Sequence, residues 1–482
     1  MTATGERLRL DALIGGEPVA TVETFENVDP ATGETLAEVA RGGREEIDQA
    51  VAAARDVFEK DWSRRSPAER ANVLQRIAES IRNHQSELEE MESLDTGKPL
   101  SQARTDVEIS ARYFDFYART VEALYGDTVP LSENVFVYTL REPHGVTGHI
   151  IPWNYPAQMI GRSIAPALAT GNCCVLKPAE EAPLSSVRIA QLALEAGLPA
   201  GAFNVVPGLG EEAGAALASH KGVDHLSFTG STEVGRLVLK AAAENIVPAT
   251  VELGGKSPNI VFADADLEKA IPTIVRSIAQ NAGQTCSAGS RLLVERGVHA
   301  EVRDEIARRF EGLTLGPGLD DPDVGPLITE KQRSRVAELV EQGRDQARLV
   351  VGGKATANGP LARGFFFPPT LFDEVVPDTP IAQQEIFGPV IGVIPFNGED
   401  EAAGIANATS YGLVAGVWTR DVGKAHRLVR EIQAGQVFVN TYGAGGGVEL
   451  PFGGRKLSGF GREKGFEGLL GFTRLKTVAV AL

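Results

Sequence analysis

Residues 224–235 read Asp224-His225-Leu226-Ser227-Phe228-Thr229-Gly230-Ser231-Thr232-Glu233-Val234-Gly235. The apolar run that ends at Phe228 predicts a buried strand, and the turn after it predicts the start of a helix. Free N–H groups at a helix start bind phosphate, and a glycine lets the backbone approach it closely. The turn equally suits a tight connection that needs glycine only for packing, because the full GxGxxG pattern is absent.

The same alternation of strand and helix extends along the middle of the chain. Short apolar runs cover residues 148–151, 173–176, 203–206, 224–228 and 249–252, and helical stretches separate them at 157–169, 185–196, 211–219 and 233–243. This order predicts a parallel, doubly wound sheet. A second series, with strand candidates between residues 291 and 440, predicts another. We therefore expect an α/β fold of two doubly wound domains with a ligand site in the cleft between them.

The first third of the chain is mostly helical, with one strand outside that pattern. Ser66-Pro67-Ala68-Glu69 is a capping box with proline at the first helical position, so we expect a long helix to begin there. Residues 135–140 follow Pro130 and predict an isolated strand.

The composition of the 482-residue chain, 43% apolar and 23% charged, is typical of a soluble globular protein. Its net charge of −17 argues against nucleic acid and anionic membrane surfaces as partners. No apolar run approaches the roughly 20 residues that a membrane span needs, and the first residues lack the apolar core of a signal peptide. The three cysteines, two of them adjacent, form no disulfide framework, so we expect a cytoplasmic protein.

Cys286 differs from the other two cysteines in its surroundings. Cys173 and Cys174 lie within an apolar run that predicts a buried strand, whereas Cys286 follows Gly283-Gln284-Thr285 after the helical stretch 267–280. A thiol on a turn beyond a helix is placed to react, while a thiol inside a strand is placed to pack. A single cysteine is more often an inert core residue, so its assignment as a nucleophile depends on the other motifs.

Three other motifs place polar side chains at predicted strand ends, where ligands bind in doubly wound sheets. Asn154, between two prolines, can donate an amide N–H to a developing oxyanion or simply stabilise its turn. Lys177 and Glu180 can hold ribose hydroxyls or be solvated loop charges. Glu252, before a double glycine, can serve as a general base or belong to a salt bridge.

Taken together and in this order, the motifs resemble the aldehyde dehydrogenase superfamily from about residue 27 to residue 477. The matching segments are PWN (152–154), KPAE (177–180), FTGSTEVG (228–235), VELGGKSP (251–258), GQTC (283–286), EIFGP (385–389) and PFGGRKLSGFGRE (451–463). The resemblance implies a dinucleotide-binding domain of residues 1–121 and 143–253, a catalytic domain of residues 254–456, and an oligomerisation arm and tail of residues 122–142 and 457–482. An arm of this kind implies a homodimer or homotetramer, because its strand edge needs cover.

The same resemblance implies the roles of the site residues. Cys286 is the nucleophile, Glu252 is the general base, and Asn154 forms the oxyanion hole with the Cys286 backbone amide. The residues implied to hold the cofactor are Ile151, Pro152, Trp153, Lys177, Glu180, Gly210, Phe228, Gly230, Ser231, Leu253, Glu385 and Phe387. The residues implied to line the substrate pocket are Tyr155, Arg162, Thr285, Ser287 and Phe452, and no metal is implied. The implied reaction oxidises an aldehyde with NAD through a cysteine thiohemiacetal and a thioester, which Glu252-activated water hydrolyses.

The motifs do not decide which aldehyde is the substrate. Arg162 matches an arginine that relatives acting on succinate semialdehyde pair with the distal carboxylate, but their second arginine is Gln280 here. A structural ion pair of Arg162 is the alternative. The glycine-rich residues 443–447 suit a wide pocket that could admit bulky aldehydes, aromatic ones included, or simply form a flexible loop. Glu180 would repel the 2′-phosphate of NADP and favours NAD, while Lys177 leaves NADP use open.

Two other functions compete with hydrolytic aldehyde oxidation. An acylating dehydrogenase, which passes the thioester to coenzyme A, does not need a general base, so Glu252 argues against it. A cofactor-binding protein that has lost catalysis would be expected to lack Cys286, Glu252 or Asn154, and all three are present.

Overall fold

A computed structural model describes residues 8–356, 358–443 and 447–482, and two large sheets form its framework. The first large sheet has eight strands in the spatial order Gly459–Phe460, Ala249–Glu252, His225–Thr229, Val146–Ile150, Cys173–Lys177, Phe203–Val205, Ala12–Ile14 and Glu17–Val19. Its five central strands are parallel. The chain order reverses between Val146–Ile150 and His225–Thr229, and a crevice opens at such a reversal beyond the carboxyl ends of the strands.

The second large sheet has seven strands in the spatial order Arg348–Val351, Thr370–Asp373, Val390–Phe396, Arg291–Glu295, Pro258–Val261, Val414–Trp418 and Gln436–Val439. All neighbours are parallel except the antiparallel edge strand Arg348–Val351. Buried apolar side chains on both faces of the sheet form two clusters, one around Phe262, Phe372 and Phe396 and the other around Ile274 and Trp418. The sheet is therefore covered on both faces, as expected for parallel strands.

Three smaller sheets lie outside this framework. One pairs Leu8–Leu10 and Thr24–Val28 with Thr35–Ala40, and another pairs Tyr411–Gly412 with Arg455–Lys456. The third has the order Thr473–Ala481, Val135–Pro143 and Thr128–Ser132, and contains the isolated strand expected near residues 135–140. Within this three-stranded sheet, the outer strand Thr473–Ala481 pairs with Val135–Pro143 over its whole length.

Helices cover the sheets. The α-helices are Arg44–Lys60, Pro67–Asn83, Gln85–Thr96, Leu100–Thr120, Pro156–Met159, Ala165–Ala169, Leu184–Glu195, Ala215–Ala218, Thr232–Asn245, Leu267–Ala279, His299–Glu311, Glu330–Arg344, Pro380–Gln383, Gly398–Asn407, Val422–Glu431 and Gly465–Gly471. Single 3₁₀ turns lie at Trp62–Arg64, Val121–Ala123, Arg296–Val298, Gly318–Asp320 and Pro360–Arg363, and a turn with a left-handed backbone lies at Gln280–Gly283. Within the described part of the chain, no helix combines the length and apolar character that crossing a membrane requires.

The α/β fold with two doubly wound sheets, predicted from strand–helix alternation, is confirmed. The strands Ala249–Glu252 and Arg348–Val351 begin and end where the sequence placed them. The capping box also forms, since the Ser66 hydroxyl accepts from the Glu69 amide (3.3 Å) and Glu69 accepts from the Ser66 amide (2.8 Å). The domain boundaries stay a prediction.

Two helices differ from the prediction. The stretch expected to be one helix over residues 157–169 contains a π-helical segment, Ile160–Ile164, and another, Gly210–Gly214, replaces the start of the helix expected over residues 211–219. A π segment leaves the apolar pattern almost unchanged, so periodicity does not reveal it. The first of these segments carries Arg162.

Candidate active site

Residues of three predicted site motifs lie where neighbouring strands of the first large sheet end. Lys177 ends one parallel strand, Glu252 ends another, and Ile151 directly follows the strand Val146–Ile150. The Ile151 amide also donates to the Lys177 carbonyl (3.3 Å). Since parallel strands end at the same edge, the motifs that the sequence separates come together in one crevice.

The predicted adenosine end of the crevice contains a lysine–glutamate pair. Lys177 is buried, and its Nζ lies 2.6 Å from a carboxylate oxygen of the more exposed Glu180. A Cβ built on Gly210 would lie 3.9 Å from Glu180, and one built on Gly214 would lie 4.0 Å from the Lys177 side chain. An ammonium beside a carboxylate offers both donors and acceptors, which suits ribose hydroxyls.

The helix Thr232–Asn245 begins directly beyond the strand His225–Thr229. Ser231 is its N-cap and accepts from the Val234 amide through its hydroxyl (3.2 Å). A Cβ on Gly230 would lie 2.7 Å from the Phe228 ring, so the turn needs glycine. Leu253 packs against Gly235 in the first turn of this helix. The first-turn N–H groups that Ser231 does not cap lie just beyond the end of this strand, where an anion can accept from them.

The predicted nicotinamide end contains Glu385 and Phe387. The Gly255 amide donates to Glu385 (3.0 Å), and a Cβ on Gly254 would lie only 2.1 Å from that carboxylate. Burial raises the pKa of Glu385 to about 7. Phe387 has a left-handed backbone (φ 56°), and its ring meets Trp153 edge-on at 5.3 Å.

The loop before Cys286 has a left-handed backbone at three successive residues, namely Asn281, Ala282 and Gly283, with φ of 48°, 51° and 72°. Only glycine adopts this conformation without cost, and such strain persists where surrounding contacts impose it. Gln284 supplies those contacts, since it is fully buried and its side-chain oxygen accepts from the Ile328 amide (2.9 Å). Its Nε2 in turn donates to the Asn281 carbonyl (3.1 Å).

Asn154 is hydrogen-bonded to this loop. Its side-chain Nδ2 donates to the Gln284 carbonyl (2.9 Å), and its own carbonyl accepts from Asn281 Nδ2 (3.0 Å). An asparagine amide has two N–H groups, and this contact uses one of them. The structure thus brings the predicted oxyanion donor next to the loop of the predicted nucleophile.

Cys286 lies half-buried against a cluster of the buried apolar side chains Leu413, Val414 and Phe452. Burial raises the pKa of its thiol to about 11, although the nearby Arg162 acts in the opposite direction. Glu385 and Glu252 add to the increase. The thiol therefore needs a base or a change in its surroundings before it can form the nucleophilic thiolate.

Arg162, Glu252 and Glu463 form a buried cluster of one cation and two carboxylates. Arg162 Nε makes an ion pair with Glu463, and its Nη2 lies 3.8 Å from Glu252. Burial raises the pKa of Glu252 well above its usual range; Arg162 lowers it and Glu463 raises it further. The guanidinium also stacks over the Phe452 ring, 4.3 Å from its centre.

The remaining predicted pocket residues lie beside the same loop. Tyr155 shares a hydrogen bond with the Thr285 hydroxyl (2.7 Å) and accepts one from Gln280 (2.8 Å). The Ser287 carbonyl accepts from the Tyr442 hydroxyl (2.7 Å). Residues 444–446 of the glycine-rich stretch lie outside the described residues, so the wide pocket stays a prediction.

Sequence reasoning missed four residues of this site: Lys98, Gln284, Tyr442 and Glu463. Glu463 and Gln284 each lie within a quoted motif, so inspection of every polar position in those motifs would have found them. Lys98, in Thr96-Gly97-Lys98-Pro99, and Tyr442 carry no comparable local signal, because their partners are distant in sequence.

One group of side chains outside the crevice is spaced as the ligands of a metal ion could be. Among the residues that the structure describes, His299, Asp373 and Glu374 are the three side chains close enough to share an ion. Asp373 already pairs with Arg303 and Arg348, so structural ion pairs account for its position.

Comparison with known proteins matches this arrangement to one family. The family model described as "Aldehyde dehydrogenase family" matches residues 18–478. The NADP/NAD-dependent aldehyde dehydrogenase PuuC of Escherichia coli is 43% identical over 476 residues, which cover 97% of this chain and 95% of the relative.

Two solved structures are similar over almost the full length of both chains. The NAD⁺ complex of an aldehyde dehydrogenase from Bacillus cereus has a TM-score of 0.96 and 42% identity, covering 98% of this chain and 97% of the other. The indole-3-acetaldehyde dehydrogenase AldA of P. syringae, solved with NAD⁺ and IAA, has a TM-score of 0.97 and 40% identity, covering 100% and 98%. The chain therefore belongs to the aldehyde dehydrogenase family.

Proposed function

We propose that this protein oxidises an uncharged aldehyde to its carboxylic acid with NAD, using Cys286 as the nucleophile and Glu252 as the base. The observation that carries the proposal is the hydrogen bond from Asn154 Nδ2 to the Gln284 carbonyl (2.9 Å), two residues before Cys286. It ties an oxyanion donor to the loop of an accessible thiol, beside a strand that ends in a carboxylate.

The Cys286 sulfur adds to the aldehyde carbon, and the carbonyl oxygen becomes an oxyanion. The second N–H of the Asn154 amide and the Cys286 backbone N–H stabilise this charge, each by about 3 kcal/mol. NAD, when bound, accepts the hydride that leaves the former aldehyde carbon. A thioester on Cys286 remains, and water opens it and restores the thiol.

Glu252 takes the proton from the hydrolytic water. Its pKa is raised well above the usual range by burial, so the carboxylate is a stronger base than an exposed one. Burial raises the pKa of the Cys286 thiol to about 11, and the nearby Arg162 guanidinium acts against this increase and so favours the thiolate.

The residues of the crevice fit NAD. The helix start at Ser231 suits the pyrophosphate, the Lys177–Glu180 pair suits the adenosine ribose, and Glu385 suits the nicotinamide ribose. Glycine at positions 230 and 254 lets the Phe228 ring and the Glu385 carboxylate lie close to the backbone of the crevice. Glu180 disfavours the 2′-phosphate of NADP by charge repulsion, so NAD is the proposed cofactor, and the paired Lys177 leaves NADP use as the weaker alternative.

The proposed substrate is uncharged because the cation in the pocket is already paired. Arg162 lies between Glu463 and Glu252, and a substrate carboxylate would meet both of these carboxylates as well. The walls around Cys286 are apolar, with Leu413, Val414 and Phe452 buried there. This arrangement favours aromatic or aliphatic aldehydes over acid semialdehydes.

The protein is also proposed to be a cytoplasmic homo-oligomer. Its cysteines are free thiols, as a reducing compartment maintains. The three-stranded sheet exposes Leu131, Phe136 and Leu475, and its outer strand Thr473–Ala481 has one partner within the described chain. A second subunit would cover this edge.

Two variants and one control test the proposal, starting from an assay of NADH formation with benzaldehyde. We expect Cys286→Ala to abolish oxidation and to keep NAD binding, and Cys174→Ala, a control for loss of a buried thiol, to keep activity. We expect Glu252→Gln to give a burst of NADH, followed by an acyl-enzyme that mass spectrometry detects. Full turnover by Cys286→Ala, or steady turnover of Glu252→Gln at the wild-type rate, would refute the proposed roles.

A further inference from the structure

Lys98 is a buried lysine at the junction of two helices. The helix Gln85–Thr96 ends at Gly97, which has a left-handed backbone (φ 76°), and the next helix begins at Leu100. The Lys98 side chain has no exposed surface. Burial alone would lower its pKa, but the carboxylates of Asp106 and Glu92 raise the pKa above its usual value, so the ammonium stays charged.

All three N–H groups of this ammonium are directed at specific acceptors. Nζ lies 3.0 Å from Glu92 Oε1, 2.5 Å from Asp106 Oδ2 and 3.0 Å from the Asn154 carbonyl oxygen. It also lies 4.6 Å from the centre of the Tyr155 ring. An ammonium has three donors, and these contacts use all of them.

The two carboxylates reach the same loop through their other oxygens. Glu92 Oε2 accepts from the Ala157 amide (3.3 Å), and Asp106 Oδ1 accepts from Gln158 Nε2 (2.5 Å). Residues 154–158 are therefore held from one side by Lys98 and by the two acids that Lys98 neutralises.

The loop of the nucleophile holds the same peptide from the other side. The Asn154 carbonyl accepts from Asn281 Nδ2 (3.0 Å) as well as from Lys98, and Asn154 Nδ2 donates to the Gln284 carbonyl (2.9 Å). The Asn154 peptide is thus the point where the buried lysine and the Cys286 loop meet. A displacement of this carbonyl would move the side-chain amide relative to the thiol.

We propose that Lys98 is a positioning residue, which fixes the Asn154 peptide so that the side-chain amide points to the oxygen of the reacting aldehyde. This inference rests on the role of Asn154 in the proposed function. Within the described contacts Lys98 touches neither the nucleophile nor the base, and its hydrogen bond to the Asn154 carbonyl is its direct link to the oxyanion donor.

The test removes the ammonium together with one of its two carboxylate partners. Lys98→Met combined with Asp106→Asn keeps the net charge of the three side chains, and the new amide still accepts from Gln158. We expect kcat to fall at least tenfold, with the aldehyde KM, the NAD Kd and the rate of Cys286 alkylation by iodoacetamide within about twofold of wild type. Misplacing one oxyanion donor costs a substantial part of the 10²–10³-fold that its removal costs.

Two further variants separate positioning from folding. Arg70→Met removes another buried cation of the same region, which donates to the Ala169 and Arg65 carbonyls, and should lower the melting temperature while kcat stays unchanged. Lys98→Arg keeps the buried charge and with it the fold. Its longer planar head displaces the Asn154 carbonyl, so the same kind of fall in kcat is expected.

A double-mutant cycle with Asn154→Ala completes the test. If Lys98 acts through the Asn154 amide, loss of the lysine should cost little more in the Asn154→Ala background. Additive losses, or wild-type kcat in both Lys98 variants while Asn154→Ala is impaired, would overturn the inference and leave the proposed function standing. Full activity of Asn154→Ala itself would overturn the proposed oxyanion hole.

Discussion

Replacing Arg162 by methionine decides whether this residue binds a substrate carboxylate or belongs to a structural ion pair. In the structure the guanidinium is buried between Glu463 and Glu252 and stacks on Phe452. Methionine follows the arginine side chain as far as about Nε and remains apolar beside the ring, but it removes the guanidinium and its charge. The change therefore isolates what the cation does for the two carboxylates.

The magnitude follows from the distances. A unit charge 3.8 Å from Glu252 attracts the carboxylate by about 4 kcal/mol at an effective dielectric constant of about 20. Removal of one partner of a buried ion pair costs about 3–5 kcal/mol of folding free energy. The pKa of Glu252 then rises, because Arg162 is the larger of the two cationic influences that lower it.

The assay is the pH profile of kcat with benzaldehyde and with succinate semialdehyde. Glu252 works as a base only when it is deprotonated, so a higher pKa moves the acidic limb of the profile to higher pH. We expect this displacement, and a similar fall in kcat at neutral pH, for both aldehydes.

A selective effect would refute this reasoning. If Arg162→Met raises the KM for succinate semialdehyde tenfold or more and leaves benzaldehyde oxidation and the acidic limb unchanged, Arg162 binds a substrate carboxylate and the protein acts on acid semialdehydes. Arg70→Met is the control, because it removes a buried cation that donates to backbone carbonyls only.

Three further predictions concern the cofactor, the loop of the nucleophile and the dependence of stability on pH. Glu180→Gln should raise kcat/KM for NADP relative to NAD several-fold, since about 1 kcal/mol of like-charge repulsion is removed, and an unchanged ratio in steady-state kinetics would contradict it. Gly283→Ala (φ 72°) should abolish activity because the new Cβ would lie 2.1 Å from the Gly388 carbonyl. Gly359→Ala, with a φ of 77° and open space, should lose only about 1–3 kcal/mol of stability in thermal unfolding, from backbone strain alone. Burial lowers the pKa of His149 to about 3, so its contribution to the free energy of unfolding is present above about pH 6.5 and is lost as the pH falls toward 3. His149→Gln should therefore reduce the slope of unfolding free energy against pH in this range by about 1.4 kcal/mol per pH unit. An unchanged slope would exclude His149 as the cause.

Much of the fold could be predicted because its signals are local. The strand Ala249–Glu252 is a continuous apolar run that ends in a carboxylate, and the capping box at Ser66 consists of neighbouring residues. The π segment at Ile160–Ile164 could not be predicted in the same way, since it keeps the apolar pattern of a helix.

In the candidate site, too, the residues within local motifs could be predicted and their contacts with distant residues could not. The quoted motifs contain Cys286, Asn154 and Glu252, and their order along the chain resembles one family closely enough to imply roles for each. The sequence could not reveal what surrounds them, because Asn154 meets Gln284 across 130 residues of chain and Lys98 across 56.

The sequence by itself determined the alternation of strands and helices, the cofactor crevice at the strand ends and the chemistry that the motifs contain. Only the tertiary structure decided that Arg162 lies between two carboxylates, that burial raises the pKa values of Cys286 and Glu252, and that a buried lysine holds the Asn154 peptide. The physical reason is that periodicity and capping depend on neighbouring residues, whereas desolvation and ion pairing depend on side chains that folding brings together from distant parts of the chain.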